Sequence, residues 1–375
     1  MEKRKILFLI PTLGGGGAEK VLVNLVNNLD YTTYDVTLQT LFKPSTNAKY
    51  LNKDIHFVEG HIKQFRGSTD LISLIPLCLL YRLFVGKKYD IVISYLEGPT
   101  ARIASACPYK GTKLINWIHC EFTNQKIASD GFISPKKALK AYERFDAIVC
   151  VAEKVKKEFL RYFPIKKAPI VLYNTNEENK IIEKSNEPLT DEEWKDDLKV
   201  ISVGRLVNQK GYDRLINVHK RLITDGIYHH LYIIGTGGNL SSLLNQVKKL
   251  DIHDTVHFLG FQDNPYKYVS KADLFVCSSN KEGFSTAVTE AFILGVPVVS
   301  TDVSGAKEML GEHNEYGIVT DISEDALYEG VKKMLSEKGL LAHYKKQAII
   351  RGQKFMKANT VKAVMHLFDK LCSHK

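Results

Sequence analysis

Short β-rich runs alternate with stretches of helical spacing along this chain, in two sets, and that alternation leaves few folds open. The first set falls at residues 5–10, 36–40, 91–94, 113–118 and 147–151, and the second at 199–203, 231–234, 255–258, 274–277 and 298–300. Strands separated by helical segments are the pattern of parallel α/β architecture, because parallel neighbours need crossover connections. A length of 375 residues suits two such domains. Between the sets, residues 174–197 are rich in Asn, Glu, Lys and Asp and poor in apolar side chains, which marks an exposed connection. The expected organisation is a first Rossmann-like domain over 1–173, a linker over 174–197, a second Rossmann-like domain over 198–355 and a terminal helix over 356–375.

With 44% hydrophobic and 25% charged residues, the chain has ordinary globular cores to build. Its 52 Lys and Arg against 42 Asp and Glu favour anionic partners such as nucleotides or phosphate headgroups. Nucleic acid is a poor candidate, since neither stacking motifs nor a recognition module is present. Six scattered cysteines lack zinc spacing and read as reduced thiols in a cytoplasmic protein. Residues 71–85 are shorter than the roughly 20 residues a spanning helix needs and are interrupted by Pro76 and Arg82. Residues 73–88 admit two readings: a buried helix of the first domain, or a surface that rests on anionic lipid through Leu, Ile and Phe beside Arg82, Lys87 and Lys88.

Three stretches carry candidate chemistry. Gly14-Gly15-Gly16-Gly17-Ala18-Glu19 joins the first strand to an amphipathic helix, so side-chain-free backbone at Gly16 and Gly17 can approach an anion. Its spacing is not that of a dinucleotide fingerprint, which counts against a dehydrogenase. Arg205 and Lys210 share one loop after a strand of the second set, where open α/β sheets bind ligands, and together they suit a diphosphate. The plain alternative is two solvated surface cations. Glu282-Gly283-Phe284-Ser285 precedes a helix that contains Glu290, offering two carboxylates for sugar or ribose hydroxyls and free amides for an anion. Each glutamate taken singly also reads as a solvated surface group. Gly235 and Gly237 form another strand-to-helix glycine turn, Phe261 follows a strand, and His119 ends one. No Asp-x-Asp motif stands at a strand end: Asp196-Asp197 and the run from Asp251 to Asp254 do not reproduce it, so no metal site is expected.

Arg205 and Lys210 in GRLxxQKGxDxL, followed by Glu282 and Glu290 in EGFSTAVTEAFILGVPVVS, resemble the donor signature of the retaining glycosyltransferase family 4, with its GT-B fold and E-x7-E motif. The loop GGGGAEKVLVNL is similar to that family's N-terminal signature, and YNTNEENK occupies the place of its YNP segment, with Thr175 where proline is usual. The resemblance covers essentially the whole chain. It implies two Rossmann-like domains with parallel sheets facing a central cleft, and a terminal helix bracing the first. It implies that Arg205 and Lys210 neutralise the diphosphate of a nucleotide-sugar donor, and that Glu282 and His119 contact the donor sugar. It also implies that Glu290 binds the ribose, that amides of Gly283, Phe284 and Ser285 hold sugar or phosphate, and that Gly235, Gly237 and Phe261 lie near the nucleotide. A glycan or lipid-linked acceptor, no cofactor beyond the donor substrate, and peripheral contact with an anionic membrane complete the expectation. A GT-B-type epimerase, a phosphorylase or a non-catalytic nucleotide-sugar-binding subunit remain the alternatives.

Overall fold

The computed structural model describes residues 2–14, 16–63, 65, 67–122, 124–189, 194–195 and 197–373; Gly15 and Asp196 lie outside them. The chain forms two compact units, Met1–Thr175 with Lys357–Lys375, and Asn176–Met356.

The first unit carries β1 (Arg4–Ile10), β2 (Tyr34–Thr40), β3 (Phe42–Lys43), β4 (His56–Val58), β5 (Ile62–Lys63), β6 (Ile91–Ser94), β7 (Lys113–Ile118), β8 (Ala147–Cys150) and β9 (Ile170–Val171). Seven of them form one parallel sheet in the order β4-β2-β1-β6-β7-β8-β9, while β3 and β5 pair separately. Every residue from Ile6 to Ile10 is fully buried, as a central strand covered on both faces requires. Strands β3, β4, β5 and β9 were not anticipated, because two or three residues are too few to show a period. The helix Gly17–Asn27 buries Val21, Leu22, Val23, Leu25 and Val26, the stripe its spacing predicts.

The last helix, Lys357–Ser373, belongs to this first unit. Its Phe368 is fully buried with edge contacts to Phe8 (6.5 Å) and Tyr34 (5.8 Å), and Asp369 pairs with Arg4 at 2.5 Å.

The second unit carries β10 (Lys199–Val203), β11 (His230–Ile234), β12 (Val256–Gly260), β13 (Leu274–Cys277), β14 (Val298–Thr301) and β15 (Ile318–Thr320), again all parallel, in the order β12-β11-β10-β13-β14-β15. Its core joins Leu231, Ile233, Leu274 and Val276 of the sheet to Leu215, Val218 and Leu222 of the helix Tyr212–Thr224.

The stretch 174–197 is not an exposed connection throughout. Residues 174–178 are buried, and Asn176 forms a parallel bridge to Met356 and donates from Nδ2 to the Phe355 carbonyl at 3.2 Å. The helix Glu178–Ser185 then packs on the helices Tyr266–Val269 and Thr286–Ile293, burying Ile181. Composition misleads here because hydrogen bonds make buried Asn and Thr tolerable, and one well-placed isoleucine anchors a short helix.

In each sheet the strand order reverses once, between β1 and β6 and between β10 and β13. The carboxyl ends of strands at such a reversal leave a crevice, the usual ligand position in open α/β sheets.

Candidate active site

In the second unit, Arg205 and Lys210 follow β10 and Glu282 follows β13, so all three stand after strands at the reversal point, which brings Lys210 and Glu282 into contact. Lys210 Nζ lies 2.6 Å from Glu282 Oε1, with only 21% and 10% of the two side chains exposed. Ser279 Oγ donates to the same oxygen at 2.6 Å. The two loops are tied along their length: the Asn280 N–H donates to the Gln209 carbonyl (2.7 Å), Asn280 Nδ2 to the Asn208 carbonyl (2.7 Å), Gln209 Nε2 to the Lys281 carbonyl (2.8 Å) and Ser278 Oγ to the Lys210 carbonyl (2.9 Å). Lys210 is thus a held charge and not a solvated one. Arg205 is exposed and makes no ion pair among the described residues.

A small cavity at these strand ends is lined by Lys210, Tyr212, Ser278, Ser279, Ser285 and Ala287. Ser285 is the N-cap of the helix Thr286–Ile293, makes no side-chain cap bond, and no acidic residue stands in that helix's first turn. Unpaired first-turn amides and the positive end of the helix dipole therefore meet the cavity that Lys210 enters, an arrangement that attracts an anion. Cys277, ending β13, has its thiol pKa raised by burial, which keeps it protonated and unreactive.

Phe284 is expected from the sequence to offer its backbone amide, and its side chain is engaged elsewhere. Its side chain is buried against Phe355 (5.9 Å) and over Gly305, so it anchors the loop and leaves only its backbone for a ligand. Glu290 is buried within the same helix, where Tyr266 Oη donates to its Oε1 at 3.4 Å. Gly235 and Gly237 are explained by close approach of two backbones: a Cβ on either would collide with the carbonyl of Gly204 or Leu206, and Gly235 has φ +142°. They let the turn after β11 support the Arg205 loop, with the Leu206 N–H donating to the Thr236 carbonyl (2.9 Å). Phe261 is 73% exposed just beyond β12, while the acidic run from Asp251 to Asp254 lies at the opposite, amino end of that strand.

In the first unit, Gly16 caps the helix Gly17–Asn27, and a Cβ there would collide with the Glu19 carboxylate. That carboxylate therefore lies beside Gly16 at the start of the helix, in the helix's first turn. A phosphate at Gly16 would meet the flexible Glu19 carboxylate there.

His119 follows β7 and is buried, 4.7 Å from the Tyr95 ring. Burial lowers its pKa to about 3, so the imidazole is neutral, and its Nε2 has no hydrogen-bond partner among the described residues. The neighbouring Cys120 is exposed. The His119 N–H donates to Glu97 Oε2 at 3.1 Å. Glu97 follows β6, across the reversal point from the glycine loop, and sequence reasoning passed over it. The signal was a carboxylate directly after a strand and before Gly98-Pro99, where Gly98 has φ +84° and the helix Pro99–Ser105 begins.

Two Rossmann-like units, each with a site at its strand-order reversal, constitute the GT-B architecture of glycosyltransferases. The same fold occurs in a glycosyltransferase from Rickettsia africae (TM-score 0.79, 16% identity, all of both chains). It occurs also in Anabaena HepE in complex with UDP (TM-score 0.76, 18% identity, 98% of this chain and 100% of that one). Residues 15–174 match the Glycosyltransferase Family 4 profile and residues 184–351 that of Glycosyl transferases group 1. The chain is 30% identical over 363 residues, 94% of its length and 96% of the relative's, to the N-acetylgalactosamine-N,N'-diacetylbacillosaminyl-diphospho-undecaprenol 4-alpha-N-acetylgalactosaminyltransferase of Campylobacter jejuni. The O-antigen biosynthesis glycosyltransferase WbnH of Escherichia coli is 29% identical over 218 residues, 58% of each chain. This chain belongs to glycosyltransferase family 4.

Proposed function

We propose that this glycosyltransferase moves a hexosyl or N-acetylhexosaminyl group, with retention of configuration, from a UDP-sugar to a glycan or lipid-linked acceptor in bacterial surface polysaccharide or glycolipid synthesis. The observation that carries the donor assignment is Lys210, held against Glu282 in the cavity that the uncapped helix N-terminus also faces. Two relatives support the finer terms: Anabaena HepE has been solved with UDP-glucose, and the Campylobacter jejuni enzyme is named for N-acetylgalactosaminyl transfer to a diphospho-undecaprenol substrate.

Breaking the anomeric C–O bond places negative charge on the departing diphosphate. In this proposal Arg205, Lys210 and the amides of Gly283, Phe284 and Ser285 stabilise that charge without a metal ion. Donor binding draws Lys210 from Glu282 toward phosphate, which frees the Glu282 carboxylate to accept from sugar hydroxyls while Ser279 keeps it oriented. Glu290, steadied by Tyr266, accepts from the ribose, and neutral His119 offers Nε2 to a sugar hydroxyl.

The test is a panel of UDP-, GDP- and ADP-sugars scored by thermal stabilisation and by transfer in the presence of EDTA. UDP-sugars are expected to raise the melting temperature, since ligand at 100 times its Kd adds about 2.7 kcal/mol. The Arg205→Ala/Lys210→Ala protein is expected to show no such rise. Stabilisation that survives in that variant, or transfer abolished by chelation, refutes the proposal.

A further inference from the structure

The segment that follows β6 grips the residue that follows β7. The Tyr95 N–H donates to the Leu9 carbonyl at 2.8 Å, so pairing with β1 runs one residue past Ser94. The Tyr95 ring lies 4.7 Å from the His119 ring at 51°, with Trp117 against its own ring at 5.1 Å. Two residues on, Glu97 Oε2 accepts from the His119 main-chain N–H at 3.1 Å. One short segment therefore touches His119 twice, at the ring and at the backbone.

That segment is itself fixed. The Leu96 carbonyl, between the two contacts, accepts from Ser94 Oγ (2.6 Å), Thr100 Oγ1 (3.0 Å) and Asn116 Nδ2 (3.2 Å), and all three side chains are fully buried. Bonds of this kind lock one backbone arrangement, because breaking any of them leaves a desolvated polar group. The helix Pro99–Ser105 is buried over its whole length, and Gly131 packs so closely on the turn before it that a Cβ there would lie 2.6 Å from the Pro99 nitrogen. His119 needs such support: its Nε2 bonds to nothing among the described residues, so no hydrogen bond at that atom sets where it points.

We propose that Glu97 is a positioning residue for the transfer reaction: with Tyr95 it clamps His119 by main chain and ring, so that Nε2 is presented in one direction to a sugar hydroxyl. The inference rests on the sugar contact proposed above for His119. Its physical basis is preorganisation, since about 1 Å of misplacement at a reacting centre can cost on the order of 100-fold in rate. A carboxylate that only stiffened the turn would act on stability and not through His119.

The experiment compares Glu97→Ala, Glu97→Gln, His119→Ala and Glu97→Ala/His119→Ala in the full chain, read by UDP release from a UDP-sugar and by melting temperature with and without UDP. Glu97→Ala is expected to lower kcat roughly 10- to 100-fold while KM for the UDP-sugar and the stabilisation by UDP stay unchanged. Glu97→Gln, whose amide oxygen can still accept from the His119 N–H, is expected to retain most of the activity. In the His119→Ala background, Glu97→Ala is expected to cost nothing further, because residues that act as a unit are not additive. Carbon-13 labelling of the histidines gives a readout that needs no turnover: the His119 ring signal, assigned by its loss in His119→Ala, is expected to hold its place in Glu97→Gln and to shift in Glu97→Ala. A Glu97→Gln protein as slow as Glu97→Ala, additive losses in the double variant, or a His119 signal unmoved in Glu97→Ala would each overturn the clamp. Undiminished turnover in His119→Ala would instead refute the role proposed for His119, and the clamp with it, while stabilisation by UDP reports on the donor site separately.

Discussion

Replacing Lys210 by methionine keeps the side-chain stem and removes only the ammonium. Glu282, whose side chain is 10% exposed, then has one remaining bond to its Oε1 near the missing charge, from Ser279 at 2.6 Å. Removing one partner of a fully buried ion pair costs ~3–5 kcal/mol, and exposed pairs are worth ~0–1 kcal/mol. With a fifth of Lys210 and a tenth of Glu282 in water, the pair lies nearer the buried limit, and ~2–3 kcal/mol is expected. For a unit of this size that corresponds to a fall in melting temperature of roughly 5–10 °C. The second change, Glu282→Gln in the same chain, removes the stranded charge and is expected to recover about half of the loss. It is not expected to recover transfer, since the groups proposed to meet diphosphate and sugar are both gone. Differential scanning fluorimetry and a turnover assay on these two variants and on Glu282→Gln alone give the cycle. A single variant within 1 °C of the parent protein, or a double variant less stable than Lys210→Met, would show that the pair is not a desolvated one and would refute the reasoning.

Gly235→Ala sets a Cβ into the Gly204 carbonyl at φ +142°, so the Arg205 loop must move; a loss of several kcal/mol is expected, with nucleotide stabilisation reduced alongside, and an unchanged melting temperature would contradict the close packing. Acid is expected to destabilise the protein below about pH 6.5 through His119, His219 and His229, buried neutral rings whose pKa values burial lowers to about 3, about 2 and about 4. The unfolded chain takes up protons that the folded one refuses, so their stabilisation is whole above the ordinary value of 6.5 and is lost toward each folded value. The slope reaches roughly 1.4 kcal/mol per pH unit for each ring, and a melting temperature flat from pH 7.5 to 5 would contradict it.

His219 and His229 also show where sequence reasoning stops. Nothing in the local text announces that His219 Nδ1 meets His229 Nε2 at 2.8 Å while His219 Nε2 meets Thr255 Oγ1 at 2.8 Å, because that chain of bonds joins three separate elements. The same blindness applies to residues 174–178, polar in composition and buried in fact, and to Glu97, whose partner His119 is supplied by the neighbouring strand.

Periodicity along the backbone was enough to read the principal strands, the parallel class and the two glycine turns onto helices, since those depend on neighbours a few residues away. The motif around Arg205, Lys210, Glu282 and Glu290 was equally plain, because its residue types and spacing are local to two loops. Only folding decided that Lys210 pairs with Glu282 across 72 positions, that Phe284 turns into the core, and that the Glu19 carboxylate lies beside Gly16. It also decided that Leu79 and Leu83 face outward: helical spacing gathers apolar residues onto a stripe, but which stripe meets the core depends on where the next helix packs.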